Sequence, residues 1–167
     1  VVESRFDWYE ITFDSFDDGR ERVALAIALG GELARGKGRN GYAECWAITR
    51  KGSTLAHIYG HSARHGEVHI VTSSEACDEV VPVLRRMWPE HRISRADSSV
   101  DFSADFDELD AVALDFAEKN RLSFRLVSDS SGGATRYLGA PSSELRVRVY
   151  KKSEQLRALH PESASEV

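Results

Sequence analysis

The chain predicts an α+β fold with a largely antiparallel central sheet and helices packed on one side. Three observations point to it. Short β-branched and aromatic runs recur along most of the length. Three longer segments with helical spacing interrupt them, and tight Lys-Gly, Arg-His-Gly and Gly-Gly turns join neighbouring runs, as antiparallel strands require. At 167 residues the chain is the size of one domain and can bury a real core.

Each element has its own signal. Residues 6–13 (FDWYEITF) are aromatic and β-branched and predict a strand. Residues 17–36 begin with Asp, carry apolar residues at helical spacing from Val23 and end in glycines, which predicts a helix. Residues 35–42 (RGKGRNGY) read as a Gly-rich basic loop. Three short strands follow at 42–50, 53–60 and 67–73. Residues 73–88 read as a capped helix, with Pro82 an objection to its middle. A strand at 91–102 leads to a helix at 105–120, capped by Asp105, with Val112, Leu114 and Phe116 among its apolar positions. Strands at 122–129, 135–139 and 144–152 complete the chain before a linker-like tail.

Hydrophobic content of 41% and charged content of 29% describe a soluble globular protein, and no apolar run approaches the roughly 20 residues of a membrane helix. No signal peptide is evident in a chain that begins with Val. Cys45 and Cys77 are too few and too far apart for a disulfide framework or a zinc site, so a reducing cytoplasm fits best. The net charge is -5, yet it is unevenly spread. Eight acids and no Lys or Arg lie between Asp97 and Glu118, whereas six cations face two acids between Arg136 and Arg157. A polyanion responds to the local field, so the acidic balance does not exclude DNA. It argues against sequence-blind coating of it.

Two strands carry polar residues where packing would not put them. On residues 144–152 period-two alternation sets Leu145, Val147 and Val149 on one face and Arg146, Arg148, Tyr150 and Lys152, then Glu154, on the other. An ordinary phenol, with a pKa of about 10, is a weak nucleophile at neutral pH. Cations beside it favour the phenolate and also grip a phosphodiester. A surface tyrosine snorkelling on a basic strand is the alternative. On residues 91–102 Arg95, Asp97, Ser99 and Asp101 share a face, either solvated or lining a cleft. Four residues along a strand span about 13 Å, so one of Asp97 and Asp101, without a bulge, is the metal-ligand candidate. His57, His61, His65 and His69 recur every four residues, but Gly60 and Gly66 interrupt them. They read as a hairpin and not as a zinc site.

These two strands resemble the signature of the replication initiation factor family, the Rep proteins of rolling-circle plasmids and filamentous phages, to which some conjugative relaxases are related. The first block resembles Arg-x-Asp-x-x-x-Asp in Arg95, Asp97 and Asp101. The second resembles Thr-x-Tyr-Leu-Gly with a following Ser, then Arg-x-Tyr-x-Lys and a Glu. It is carried by Thr135, Tyr137, Leu138, Gly139, Ser142, Arg148, Tyr150, Lys152 and Glu154. The resemblance implies an enzyme that nicks and rejoins origin DNA, Tyr150 forming a 5′-phosphotyrosine while Arg148 and Lys152 hold the phosphate. It also implies Mg²⁺ or Mn²⁺ held among Asp97, Asp101 and Glu154. Arg35, Lys37, Arg39, Arg95, Arg136, Ser142 and Arg146 are the expected DNA contacts. The expected partners are single-stranded or supercoiled origin DNA, with a host helicase and polymerase, no membrane, and an oligomeric state left open. Such Rep proteins lack the paired-histidine triplet of other rolling-circle nucleases, and residues 67–70 (EVHI) carry one histidine. Residues 1–160 are expected to be a Rep-like nicking domain of a longer protein, and 161–167 a tail or linker. A non-catalytic Rep-like DNA-binding module is the competing reading.

Overall fold

The computed structural model describes residues 4–14, 18–62, 66–128, 133–143 and 146–152. The chain divides into two compact units, residues 1–101 and 102–167. In chain order the first contains β1 (Ser4–Asp14), α1 (Asp18–Ala28), β2 (Glu32–Lys37), β3 (Tyr42–Arg50), β4 (Ser53–Ser62), β5 (Glu67–Ser73), α2 (Ala76–Met87) and β6 (Arg92–Val100). Its six strands form one sheet in the order β2-β3-β4-β5-β1-β6, every pairing antiparallel.

Alternation along β1 decides the two faces of this sheet. Tyr9, Ile11 and Phe13 are buried and join Ile58 of β4, Val68 and Ile70 of β5, and Leu25, Val80 and Leu84 of the helices in one core. Burying each large side chain contributes about 1.5–3 kcal/mol. Trp88, just past α2, stacks on Phe13 with ring centroids 4.5 Å apart. Pro82 does not break α2: it lies on the exposed side, while Val80, Val81, Val83 and Leu84 hold the helix to the sheet. The expected side-chain cap of α2 is absent. Glu75 makes no capping bond, and Asp78 and Glu79 in the first turn with Arg85 and Arg86 in the last complement the helix dipole instead.

Two expectations change here. The helix expected over 17–36 ends at Ala28, because Gly30 adopts φ 59° and its amide and that of Gly31 bond back to Ile27 and Ala26. That is a Schellman stop, which favours glycine at its left-handed position. The chain then turns straight into β2, so half of the expected basic loop is strand. Arg35 and Lys37 pair with Trp46 and Glu44, and the reversal is confined to the short stretch after them, where Asn40 and Gly41 have φ 53° and 88°. An Asn-Gly pair with two positive φ angles is the preferred tight hairpin turn.

The second unit holds α3 (Phe106–Lys119), β7 (Phe124–Ser128), β8 (Ala134–Leu138) and β9 (Val147–Tyr150). The three strands form an antiparallel sheet in the order β7-β8-β9, and α3 packs on β8 and β9. Asp105 caps α3 as its sequence predicts, accepting a bond from the Asp107 amide at 2.7 Å. The buried stripe, however, is Ala113 and Ala117, not Val112 and Phe116, which are 67% and 46% exposed. Alanines let the helix approach the sheet closely, where Leu138, Val147 and Val149 meet them. The α+β class and the antiparallel pairing are those the sequence predicts. Among the described residues no helix is long and apolar enough to cross a membrane.

Arg136 ties this small unit together. It is 9% exposed, on the α3 side of β8, and both ends of its guanidinium fork bond Asp110 of α3 at 2.7 Å. These bonds hold the Asp110 carboxyl below the usual carboxylate range. Removing one partner strands the other, so Arg136→Ala should cost about 3 kcal/mol. Hydrogen exchange of the β8 amides should report the loss, and the double variant with Asp110→Ala should recover part of it. Unchanged protection in Arg136→Ala would mean the pair holds nothing.

Candidate nucleic-acid interface

The face of the small sheet opposite α3 is built by cross-strand register. Arg125 of β7 pairs with Tyr137 of β8, which pairs with Arg148 of β9. Two residues along, Val127 pairs with Thr135, which pairs with Tyr150. Directly opposed residues point to the same side, so two rows, Arg-Tyr-Arg and Val-Thr-Tyr, stand on one surface. The Arg125 guanidinium lies 4.8 Å from the centre of the Tyr137 ring, confirming their common side. Arg148 is exposed and Tyr150 is 39% exposed. Val147 and Val149 turn the other way, onto the core.

The expected cation row is shorter than alternation suggests. β9 spans Val147–Tyr150, so Arg146 precedes it and Lys152 follows it, both exposed but beyond the strand's period. Lys151 lies over the Phe106 ring at 5.9 Å. Ser142 is exposed in the turn after β8. Leu145 and Glu154 lie outside the described residues. Arg136 lies on the opposite face of its strand, engaged by Asp110.

The first unit carries a separate polar face. Trp8 and Glu10 of β1 point away from the core that holds Tyr9 and Ile11. The Trp8 indole donates to Glu10 Oε1 at 2.6 Å, Glu10 Oε2 lies 3.5 Å from His69 Nε2, and His69 Nδ1 lies 3.2 Å from the Thr12 hydroxyl. Next to this chain Arg95 bonds both oxygens of Asp97, at 3.0 and 2.5 Å, with its guanidinium 4.9 Å from the Trp8 ring. Asp101 lies just past the end of β6 and is exposed. The bulge that would be needed to bring both carboxylates to one ion is not in β6 between Asp97 and Val100: one register shift puts its extra residue in β1, between Phe6 and Trp8, and the other lies between Ile93 and Arg95. Among the described residues no three His, Cys, Asp or Glu side chains converge as a metal cluster. Arg39 is exposed in the β2–β3 turn, and Arg35 spreads over Trp46 with Glu44 beside it at 3.7 Å.

His57 and His69 sit on the two arms of the hairpin that the histidine spacing predicts. Their rings border those of Tyr59 and Tyr42, with centroids 5.7–6.2 Å apart. Burial lowers the pKa of both histidines, and Arg39 adds to the effect at His57 while Glu10 opposes it at His69. Sequence reading missed Arg125 and the Trp8-Glu10-His69 chain. Alternation within FRLVS and DWYEITF carries both signals, but it shows only which residues share a face and not which neighbours they meet.

No protein-family model matches the chain, and no curated protein matches it. Among solved structures it is similar to the rolling circle replication initiator protein from Geobacillus stearothermophilus, with a TM-score of 0.68 and 21% identity. The alignment covers 93% of this chain and 69% of that one. At this identity the likeness is one of fold.

The histidine shifts set a pH window. A histidine whose folded pKa is depressed leaves the unfolded state the stronger proton binder, so stability is full above the unfolded value of about 6.5 and falls as the pH drops below it. Tm of the protein should therefore fall between pH 7.5 and 5.5, before the carboxylates titrate. The variant His57→Gln/His69→Gln should fall less over that interval. Equal slopes for the two proteins would sink the account.

Proposed function

We propose that this chain, on a fold shared with a rolling circle replication initiator, nicks and rejoins origin DNA through Tyr150. The observation that carries the reading is the placement of Tyr150: solvent-exposed at the end of β9, on the surface that also bears Arg148, Tyr137 and Arg125. The phenolic oxygen attacks the scissile phosphorus, forming an O–P bond as the P–O3′ bond breaks. The phenol's proton leaves, and a proton is taken up by the departing 3′-oxygen. The products are a 5′-phosphotyrosine and a free 3′-hydroxyl, and reversal of the same step rejoins the strand. Arg148, opposite Tyr137 and two residues from Tyr150, is the donor for the charge that develops on the non-bridging oxygens. Lys152 and Arg146 add positive field, and Ser142 lies in the turn before them. Arg35, Lys37 and Arg39 take the role of holding DNA backbone. A Rep-like module that binds DNA without cutting it is the second reading, favoured by the engagement of Asp97, an expected metal donor, by Arg95.

The Mg²⁺ or Mn²⁺ that the resemblance implies would need a donor other than Asp97: Asp101 is exposed past the end of β6, and Glu154 lies outside the described residues. Both oxygens of Asp97 are taken by Arg95, and a guanidinium beside a carboxylate opposes a cation there. No step is therefore routed through a metal.

Single-stranded origin DNA incubated with the protein and Mn²⁺ should give a slow-migrating adduct that survives denaturation. Tyr150→Phe should abolish the adduct and Tyr137→Phe should retain it; the reverse result would reject the nucleophile. At saturating DNA Arg148→Ala should lower the single-turnover rate at least tenfold, as loss of one transition-state donor typically does. A normal rate at saturation would make Arg148 a clamp only. Asp97→Asn tests the cation separately. Its Mn²⁺ midpoint for cleavage should equal that of the wild type, whereas a tenfold rightward shift would make Asp97 a ligand after all.

A further inference from the structure

The Arg-Tyr-Arg row has a feature that phosphate gripping does not use. Cations alone hold a backbone, yet the middle position is an aromatic ring, half-buried and stacked beneath the Arg125 guanidinium at 4.8 Å. Its other neighbour in register is Arg148. Arg125 and Arg148 thus stand on the two strands that flank Tyr137, one in contact with its ring and the other in register beside it. Tyr150 is its diagonal neighbour, about 7–8 Å away, within reach of the adjacent nucleotide.

We infer that Tyr137 is a stacking station for one unpaired base next to the scissile phosphate, with Arg125 supporting its ring and taking the neighbouring phosphate. This rests on the nicking role of Tyr150 for its location, though not for its chemistry. A flat π-face flanked by guanidinium groups suits an extended single strand, in which phosphates alternate with bases whose faces are free. A base-paired duplex offers that surface only phosphates and groove edges, because the faces of its bases are already stacked. The same row therefore selects a single strand over a duplex, a preference that a purely cationic strand would not give. Arg125 has this role because it lies on the exposed edge strand β7, in register with the ring and not with the core.

Two probes test it on the full chain: a fluorescein-labelled single-stranded 20-mer with a central 2-aminopurine, and the same oligonucleotide as a duplex. Tyr137→Leu should weaken single-strand binding about fivefold to a hundredfold, the range for loss of one stacked base, and change duplex binding less than twofold. The change in 2-aminopurine emission on binding should be lost with it. Tyr137→Phe keeps the ring and should bind as the wild type does, which separates stacking from misfolding. Arg125→Ala should weaken single-strand binding, and its effect should shrink in the Tyr137→Leu background, since the two act together. Equal losses for single strand and duplex, or wild-type affinity in Tyr137→Leu, would overturn the stacking role. Absence of any Tyr150 adduct alongside an intact Tyr137 dependence would overturn the nicking role alone and leave a single-strand binding module.

Discussion

The small sheet depends on two valines. Among the described residues, Val147 and Val149 are what β9 commits to a thin core with Ala113, Ala117, Leu122 and Leu138, and they fix which side of the strand faces solvent. A slip of one residue would carry Tyr150 and Arg148 into that core and expose the valines. Desolvating a guanidinium without a partner costs several kcal/mol, so that alternative is closed. The core is small, but its sidedness is unambiguous. Arg136 reinforces it from the neighbouring strand, where its bond to Asp110 keeps β8 in step with the helix.

The larger sheet solves a different problem. One face is apolar and covered by α1 and α2, and the other must carry polar side chains without wasting their bonding capacity. It does so by linking them along the strand and across it: indole to carboxylate, carboxylate to imidazole, imidazole to hydroxyl. A network in which each member is satisfied by the next is stiff, because moving one side chain leaves its neighbour unmatched. This stiffness belongs to β5 and β1, fourth and fifth in the strand order, and β6 adds the Arg95–Asp97 pair at the margin beside them.

Much of this was legible beforehand, for identifiable reasons. Period-two alternation found nearly every strand and set Val147 against Arg148 correctly, since burial on one face is a local signal. Asp105 was readable as a cap because its bond reaches only two residues ahead. The failures are those of partnership. Nothing in RGKGRN says that Arg35 and Lys37 will find β3 beside them and become strand. Val112 and Phe116 outrank Ala113 and Ala117 on any hydrophobicity scale, but the helix turned its small residues inward because closeness of approach mattered more than apolar area. Arg136 looked like a DNA contact for the same reason: its carboxylate lies 26 residues away in sequence. The division of the strands into two sheets is likewise a long-range choice that no local pattern encodes.

The β2–β3 hairpin has a consequence for solubility. β2 ends the six-stranded order, so its outer main-chain groups face away from the sheet, where another chain could extend it. Exposed Lys37 lies on that strand with Arg35, which leans inward over Trp46 toward Glu44, and like charges on it disfavour pairing with a second copy. At the other end of the strand order β6 carries Arg92 and Arg95, whose charges are paired with Glu67 and Asp97. Cations on β2 that could meet a polyanion therefore also disfavour edge pairing between copies. Neutralising them to study DNA would remove both effects at once, and material lost to aggregation would be mistaken for lost affinity.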